Sequence, residues 1–243
     1  MEEEVKVENI VSPDLLDLSR QAKLVPFEKI NNWTIKVFGV GSVGSHVVKT
    51  LAKTGFKNIE VYDMDTVETE NIAAQAFDFT HLGMKKVDAC AKLVKEGAGI
   101  EIITHDGEIT KDSTIAPEPN TVYCCFFDSF EGRKLVFDKI KEYPITFVDG
   151  RIGGFNMRHY LVDCNNEEEV KAYSETLETT ATSELECGEK ASAPINAILA
   201  GEIVMNIINY INKDTYTKIC IGSAKAPKSN IYVLSNQPTL EEE

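Results

Sequence analysis

Apolar positions along the chain follow two rhythms. Short runs read as strands: Ile35, Val37 and Phe38, then "NIEVYDMD", "IEIITH", "TVYCCFF" and "ITFVDG", of which "TVYCCFF" is continuous and has the brevity and the β-branched, aromatic content of a strand buried on both faces. Between them apolar residues recur at helical spacing: Val43, Val47, Val48, Leu51 and Ala52, stopped by Gly55, then Val87, Cys90, Ala91 and Val94, then "FEGRKLVFDKIKEY". This predicts helices over about 43–54, in "MKKVDACAKLVKEG" and after Asp128. Strands alternating with helices in this way predict an α/β fold with a doubly wound, mostly parallel sheet. After residue 150 the rhythm changes. "MRHYLVD" reads as a strand, "NNEEEVKAYSETLETTATSELECGEKAS" as a long polar connection, and a helix starts at Pro194. "KICIGS" and "NIYVLS" finish the chain as antiparallel or edge strands. No repeat or linker divides the sequence, so 1–243 reads as one domain: an N-terminal arm (1–30), a nucleotide-binding half (31–150), and a crossover loop, helix and antiparallel strands (151–236).

The chemistry begins between the first strand and the first long helix. Gly39, Gly41 and Gly44 form G-x-G-x-x-G between "IKVF" and the helical pattern, the context that this fingerprint requires. Gly39 allows the tight turn, Gly41 lets backbone N–H groups approach a phosphate, and Gly44 lets the helix pack closely on the strand. The anion then sits at a helix N-terminus. The second strand ends in Asp63 and Asp65, a little over twenty residues on, where an acid commonly binds a ribose hydroxyl. The unit is therefore Rossmann-like and nucleotide-binding. There is no G-x-x-x-x-G-K-[ST], which argues against a P-loop NTPase. Ligands on such sheets bind beyond the carboxyl ends of the strands, so Gly39 to Gly44, Asp63, Asp128 and Asp149 are expected to face one crevice.

Charge and cysteine usage narrow the class. A formal charge of −14 and a pI near 4.8 argue against nucleic-acid binding, which leaves a basic footprint. The acidic ends read as solvated tails. The six cysteines include no C-x-x-C pair and read as reduced thiols of a cytoplasmic protein. The four histidines lack ligand spacing. No basic region followed by an apolar stretch opens the chain. "PINAILAGEIVMNIINYI" is interrupted by Glu202, Asn206 and Asn209, and reads as a buried helix, with no membrane span.

The motifs "DMDTVETENIAAQAF", "GMKKVDA" and "CCFFDSFEGRK", in that order, resemble the ThiF/MoeB and ubiquitin-activating-enzyme family of adenylyltransferases. Those enzymes activate a protein's C-terminal carboxylate with ATP. The resemblance runs from about Leu18 to about Ile211 and implies residue roles. Asp63 matches the acid that binds the adenosine ribose, and Asn71 and Gln75 match the family's Asn-x-x-Arg-Gln. Lys86 matches the phosphate-contacting lysine of Gly-x-x-Lys. Asp128, followed by Arg133, matches the magnesium-handling aspartate. Arg20, with Gln21, matches an arginine that reaches the partner's site in homodimeric members. Cys187 falls where some members carry a covalent thiol. Two departures stand out: the arginine of Asn-x-x-Arg-Gln is Ala74 here, and zinc-binding C-x-x-C pairs are absent. "NIAAQ" and "DGRIGG" resemble shorter ThiF-like proteins.

The chemistry fits these residue types. A carboxylate attacking the α-phosphorus of ATP meets several negative charges, so the step needs positioning and electrostatic stabilisation. Lys86 and Arg20 supply positive charge, Asp128 suits Mg2+ bridging the phosphates, and Arg151 is a candidate to fill the gap left by Ala74. Cys187 is a possible acyl acceptor with Lys190 nearby, although Glu184, Glu186 and Glu189 oppose its thiolate. The expectation is an adenylyltransferase using ATP and Mg2+ on a ubiquitin-like protein or a peptide with a free C-terminus, working as a homodimer. The alternatives are a noncatalytic nucleotide-binding or partner-docking protein and, third, an NAD-dependent oxidoreductase.

Overall fold

The computed structural model describes residues 16–179, 192–223 and 230–234. Their core is an eight-stranded sheet of order β3-β2-β1-β4-β5-β6-β7-β8, made of β1 (Thr34–Phe38), β2 (Asn58–Asp63), β3 (Ile103–Asp106), β4 (Thr121–Cys125), β5 (Thr146–Gly153), β6 (Asn156–Asp163), β7 (Ile219–Ser223) and β8 (Asn230–Leu234). The first five strands are mutually parallel, and the pairs β5–β6, β6–β7 and β7–β8 are antiparallel. This is the doubly wound, mostly parallel sheet with antiparallel C-terminal strands that the sequence predicts. Strand β3 starts at Ile103, later than "IEIITH" suggests, because Ile103 is the first residue to find a partner, Glu60.

The period-2 alternation within each strand divides the core in two. Ile35, Val37, Val61, Val122, Cys124 and Val148 face α2 (Ser42–Thr54), α3 (Lys86–Ala98) and α6 (Ala193–Asn212). Phe38, Tyr123, Cys125 and Phe147 face α4 (Phe130–Ile140) and α5 (Glu167–Thr179). A four-residue helix, α1 (Phe27–Ile30), leads into β1. Helix α6 is long and apolar enough to cross a membrane by composition, but Ile195, Leu199, Ile203 and Ile207 are buried in the first core cluster, which accounts for its apolar content.

The polar stretch expected to be a long connection begins as helix α5. Three glutamates at its N-terminus favour the helix dipole, and Tyr173 and Leu177, four apart, anchor it in the second cluster. Its strongly charged outer face hides a narrow apolar stripe, partly buried Val170 with buried Tyr173 and Leu177, which is why the period was not legible.

The glycine turn is tight where chain meets chain. Gly39 has φ +87°, in the left-handed region. A Cβ on Gly44 would lie 1.9 Å from the Gly39 carbonyl oxygen, whereas one on Gly41 would meet nothing nearer than Gln75 Nε2 at 3.9 Å. Gly44→Ala should therefore destabilise the protein by more than about 3 kcal/mol, the scale of severe overpacking, while Gly41→Ala stays within about 1 kcal/mol. Urea unfolding measures both, and equal losses would contradict this division of roles.

His159 yields a pH prediction. It is buried against Asn206 Nδ2, 3.2 Å away, and burial pushes its imidazole down to about 4 from an ordinary 6.5. The unfolded chain takes up this proton at a higher pH than the folded chain does. Stability is thus full above pH 6.5 and falls as the pH drops toward 4, by roughly 3 kcal/mol in all. Urea titrations across that range should show a shallower decline for His159→Asn than for the wild type.

Candidate functional site

Connections leave adjacent strands β1 and β4 for opposite faces of the sheet, opening a crevice at their carboxyl ends. The glycine turn forms one wall. Gly39 packs against the exit of β4, where its Cβ would come within 3.1 Å of the backbone of Phe126 and Phe127. The turn and the loop carrying Asp128 therefore adjoin. Helix α2 begins at this point with Gly41 as its N-cap and no side-chain cap. Its first N–H groups are the natural receptors for an anion.

Asp63 ties the turn to β2. One carboxylate oxygen accepts from Val40 N at 2.8 Å and the other from Asp65 N at 2.9 Å. Each oxygen keeps a second lone pair for a ligand hydroxyl. The chain then makes a closed excursion, with Thr66 bridged to Lys85 and Val67 N donating to Met84 O at 2.8 Å. This returns Lys86 to Asp65. The Lys86 ammonium is buried at the first position of α3, where the helix dipole opposes a cation. Asp65 offsets that cost, accepting from Nζ at 2.7 Å while itself half-exposed. The structure thus gives Asp65 the role of partner to Lys86.

Asn71 and Gln75 lie within the excursion. Asn71 Oδ1 accepts from Glu68 N at 2.9 Å and closes a capping box. The Gln75 amide lies over Gly41, and its Oε1 is buried without a partner. Ala74, at the position of the expected arginine, is held by its carbonyl. That oxygen accepts from Asn196 Nδ2 in the first turn of α6 at 2.7 Å and lies 3.1 Å from His46 Nε2 of α2.

Asp128 is exposed at the start of α4. Ser129 caps that helix, accepting from Gly132 N at 3.1 Å, so Asp128 is not used as the cap. Among the described residues no group of three or more His, Cys, Asp or Glu could hold a metal ion. A magnesium ion here would rest on this one carboxylate and on phosphate oxygens, the usual arrangement for that ion.

Other expected residues lie apart. Asp149 does not face the crevice. It is completely buried, accepting from Arg133 Nη1, from Arg151 Nε at 2.5 Å and from Tyr173 Oη at 3.0 Å. Arg133 also donates to Gly150 O at 3.1 Å. Arg151 donates to Thr176 Oγ1 at 3.0 Å and stacks over Tyr160, Phe130 and Tyr173. Neither arginine is available to fill the gap at Ala74; both neutralise a carboxylate that would otherwise be buried unpaired.

Arg20 is exposed at the far end of α2: its neighbour Gln21 donates to Lys53 O at 3.0 Å, and a Cβ on Gly55 would meet Leu18 at 2.7 Å. Helix α2 has 13 residues, about 20 Å of length, so Arg20 is not brought to its own chain's crevice. Cys187, with Lys190 and the flanking glutamates, lies outside the described residues. Each of the five described cysteines is a free thiol. Cys90, beneath Asp63 and Lys86, has its pKa raised above the ordinary thiol range by burial.

The residues missed from sequence are Asn196 and His46. Asn196 bonds to a residue 122 positions away, and no local pattern marks such a pair.

Comparison with known proteins identifies the family and supports the fold. The model of the ThiF family matches residues 16–236. The NEDD8-activating enzyme E1 catalytic subunit of Caenorhabditis elegans is 28% identical over 127 residues, covering 51% of this chain and 30% of that protein. The SUMO-activating enzyme subunit 2 of Dictyostelium discoideum is 35% identical over 107 residues, covering 43% and 15%. The chain thus spans about a third or less of the length of these two relatives. Among solved structures, E. coli MccB with ATP superposes with a TM-score of 0.68 at 16% identity, covering 88% of this chain and 67% of that one. PaaA superposes with a TM-score of 0.67 at 18% identity, covering 93% and 71%. With a family match that spans most of the chain and the fold in agreement, the chain belongs to the ThiF family.

Proposed function

We propose that this protein is an adenylyltransferase that uses ATP and Mg2+ to activate the C-terminal carboxylate of a ubiquitin-like protein or peptide as an acyl-adenylate. The observation that carries the proposal is the meeting, at one crevice, of the uncapped start of α2, Asp63, the Asp65–Lys86 pair and the exposed carboxylate of Asp128. In the reaction a substrate carboxylate oxygen bonds to the α-phosphorus as the bond to pyrophosphate breaks. Charge collects on the phosphoryl oxygens and the leaving group, where α2 N–H groups and Lys86 stabilise it. Asp63 orients the ribose, and Asp128 with the phosphate oxygens would hold the metal, which supplies further neutralisation. Relatives bear names that refer to NEDD8 and SUMO, and one MccB structure was solved with the MccA peptide; a free C-terminus is the substrate class these names suggest. We further propose that the protein works as a homodimer in which Arg20, stranded in its own chain, serves the partner's crevice.

A noncatalytic nucleotide-binding protein is the second reading. It is favoured by one observation: Lys86, Arg133 and Arg151 each already face a carboxylate, and Ala74 adds no charge.

ATP with Mg2+ should raise the melting temperature and NAD should not. Asp63→Ala should weaken ATP binding by about 1.5–3 kcal/mol through loss of charge-assisted hydrogen bonds; calorimetry showing unchanged affinity removes Asp63 from the site.

Lys86→Ala and Asp128→Ala should abolish partner-dependent pyrophosphate exchange while both proteins stay folded. Retained ATP affinity with no exchange in the wild type, given a verified partner, would select the noncatalytic reading. Mixing Arg20→Ala with Lys86→Ala subunits should restore one competent site per heterodimer, and a mixture with no recovered exchange would count against action across the dimer.

A further inference from the structure

Asn196 is buried and lies outside every motif of the nucleotide site. Its amide Nδ2 donates to the Ala74 carbonyl at 2.7 Å, while its Oδ1 is buried with no partner. Asn206, the other buried asparagine of α6, behaves differently. Both of its amide groups grip the backbone of Thr217, at 2.6 and 2.7 Å, as a structural asparagine should. Asn196 leaves its amide oxygen without a partner among the described residues at a site of high desolvation cost, and directs its Nδ2 to a single carbonyl in the 71–75 segment.

That carbonyl is where three separate elements meet: α6 through Asn196, α2 through His46, and the segment that lays Gln75 over Gly41. A second tie holds the segment just beyond, where Ala76 N donates to Ser45 Oγ at 3.0 Å. Position 74 carries an alanine, so the hold on the segment here runs through its backbone carbonyl, from Asn196 and His46. His46 does not restore the missing charge: burial first, and Lys49 after it, lower its pKa against the opposing effect of the Ala74 bond, so it acts as a neutral donor.

We propose that Asn196, assisted by His46, is a positioning residue for the nucleotide: it holds the Ala74 carbonyl so that Gln75 stays over Gly41 and the first N–H groups of α2. The inference rests on the nucleotide binding proposed above but not on the adenylation step. It also gives the first turn of α6 a role at the nucleotide site, through the bond from Asn196 to Ala74.

The test compares Asn196→Ala with Asn206→Ala in the full chain. Asn196→Ala should weaken Mg2+-ATP binding roughly three- to tenfold by calorimetry, the scale of one lost positioning hydrogen bond, and raise KM for ATP in pyrophosphate exchange with kcat changed less than about twofold. Without nucleotide, amide hydrogen exchange across residues 74–77 should speed up in this variant. Asn206→Ala should lower the melting temperature and leave ATP affinity unchanged. If Asn196→Ala lowers the melting temperature but leaves both ATP affinity and exchange at 74–77 unchanged, or if the two variants weaken ATP equally, Asn196 only packs α6 and the inference fails. A wild type that binds ATP without exchanging pyrophosphate defeats the proposed reaction while the calorimetric comparison still decides the role of Asn196; a wild type that binds no ATP overturns both.

Discussion

The approach of α2 to the end of β1 is the constraint on which the rest of the site depends. Gly44 sits where any side chain would collide with the Gly39 carbonyl, so the helix begins almost on top of the strand. Its first N–H groups therefore open at the carboxyl edge of the sheet, next to the exit of β4. Asp63 fixes this arrangement from β2 through Val40 N. The same seating brings α2 alongside α6 and the 71–76 segment, so His46, Ser45, Ala74 and Asn196 meet on one side of the turn.

Charge placement follows a consistent rule in a chain of formal charge −14. Buried cations are each matched to a carboxylate: Lys86 to Asp65, Arg133 and Arg151 to Asp149, and Lys36 to Glu118 at 2.6 Å. Pairing is required because an isolated buried charge is strongly unfavourable. At the crevice the pairing is asymmetric, with a buried ammonium and a half-exposed carboxylate. The carboxylate is the more solvent-exposed partner, as Glu118 is in its pair with Lys36. The cluster at Asp149 has no such asymmetry: its carboxylate is enclosed and its arginines hold the junction of α4, α5 and β5.

The parallel half of the fold was legible because its central strands β1, β4 and β5 are largely buried and its helices carry an apolar stripe; both signals are local. The glycine turn and Asp63 were placed correctly between β1 and α2 and at the end of β2 because the sequence marks those element boundaries, whereas Lys86, at the start of α3, was singled out only by the family resemblance. Helix α5 was not legible, because only Val170, Tyr173 and Leu177 betray it among glutamates. Asp149 and Arg151 were misjudged because position at a strand's end says nothing of which face a side chain takes or which partners it finds. The Asn196–Ala74 bond was invisible because its partners lie on different elements and neither residue type is unusual where it stands. Sequence reading thus placed residues whose position is set by their own element and lost those whose contacts are set by a distant neighbour.

The central claim is that the uncapped N-terminus of α2 receives the phosphates of ATP. The most direct measurement is the backbone amide NMR spectrum during titration with Mg2+-ATP. The account predicts that the largest shifts fall on Gly41, Ser42 and Val43, with smaller ones at Val40 and Gln75, and that NAD at the same concentration leaves these amides in place. Shifts confined to other parts of the chain, or equal responses to ATP and NAD, would contradict it.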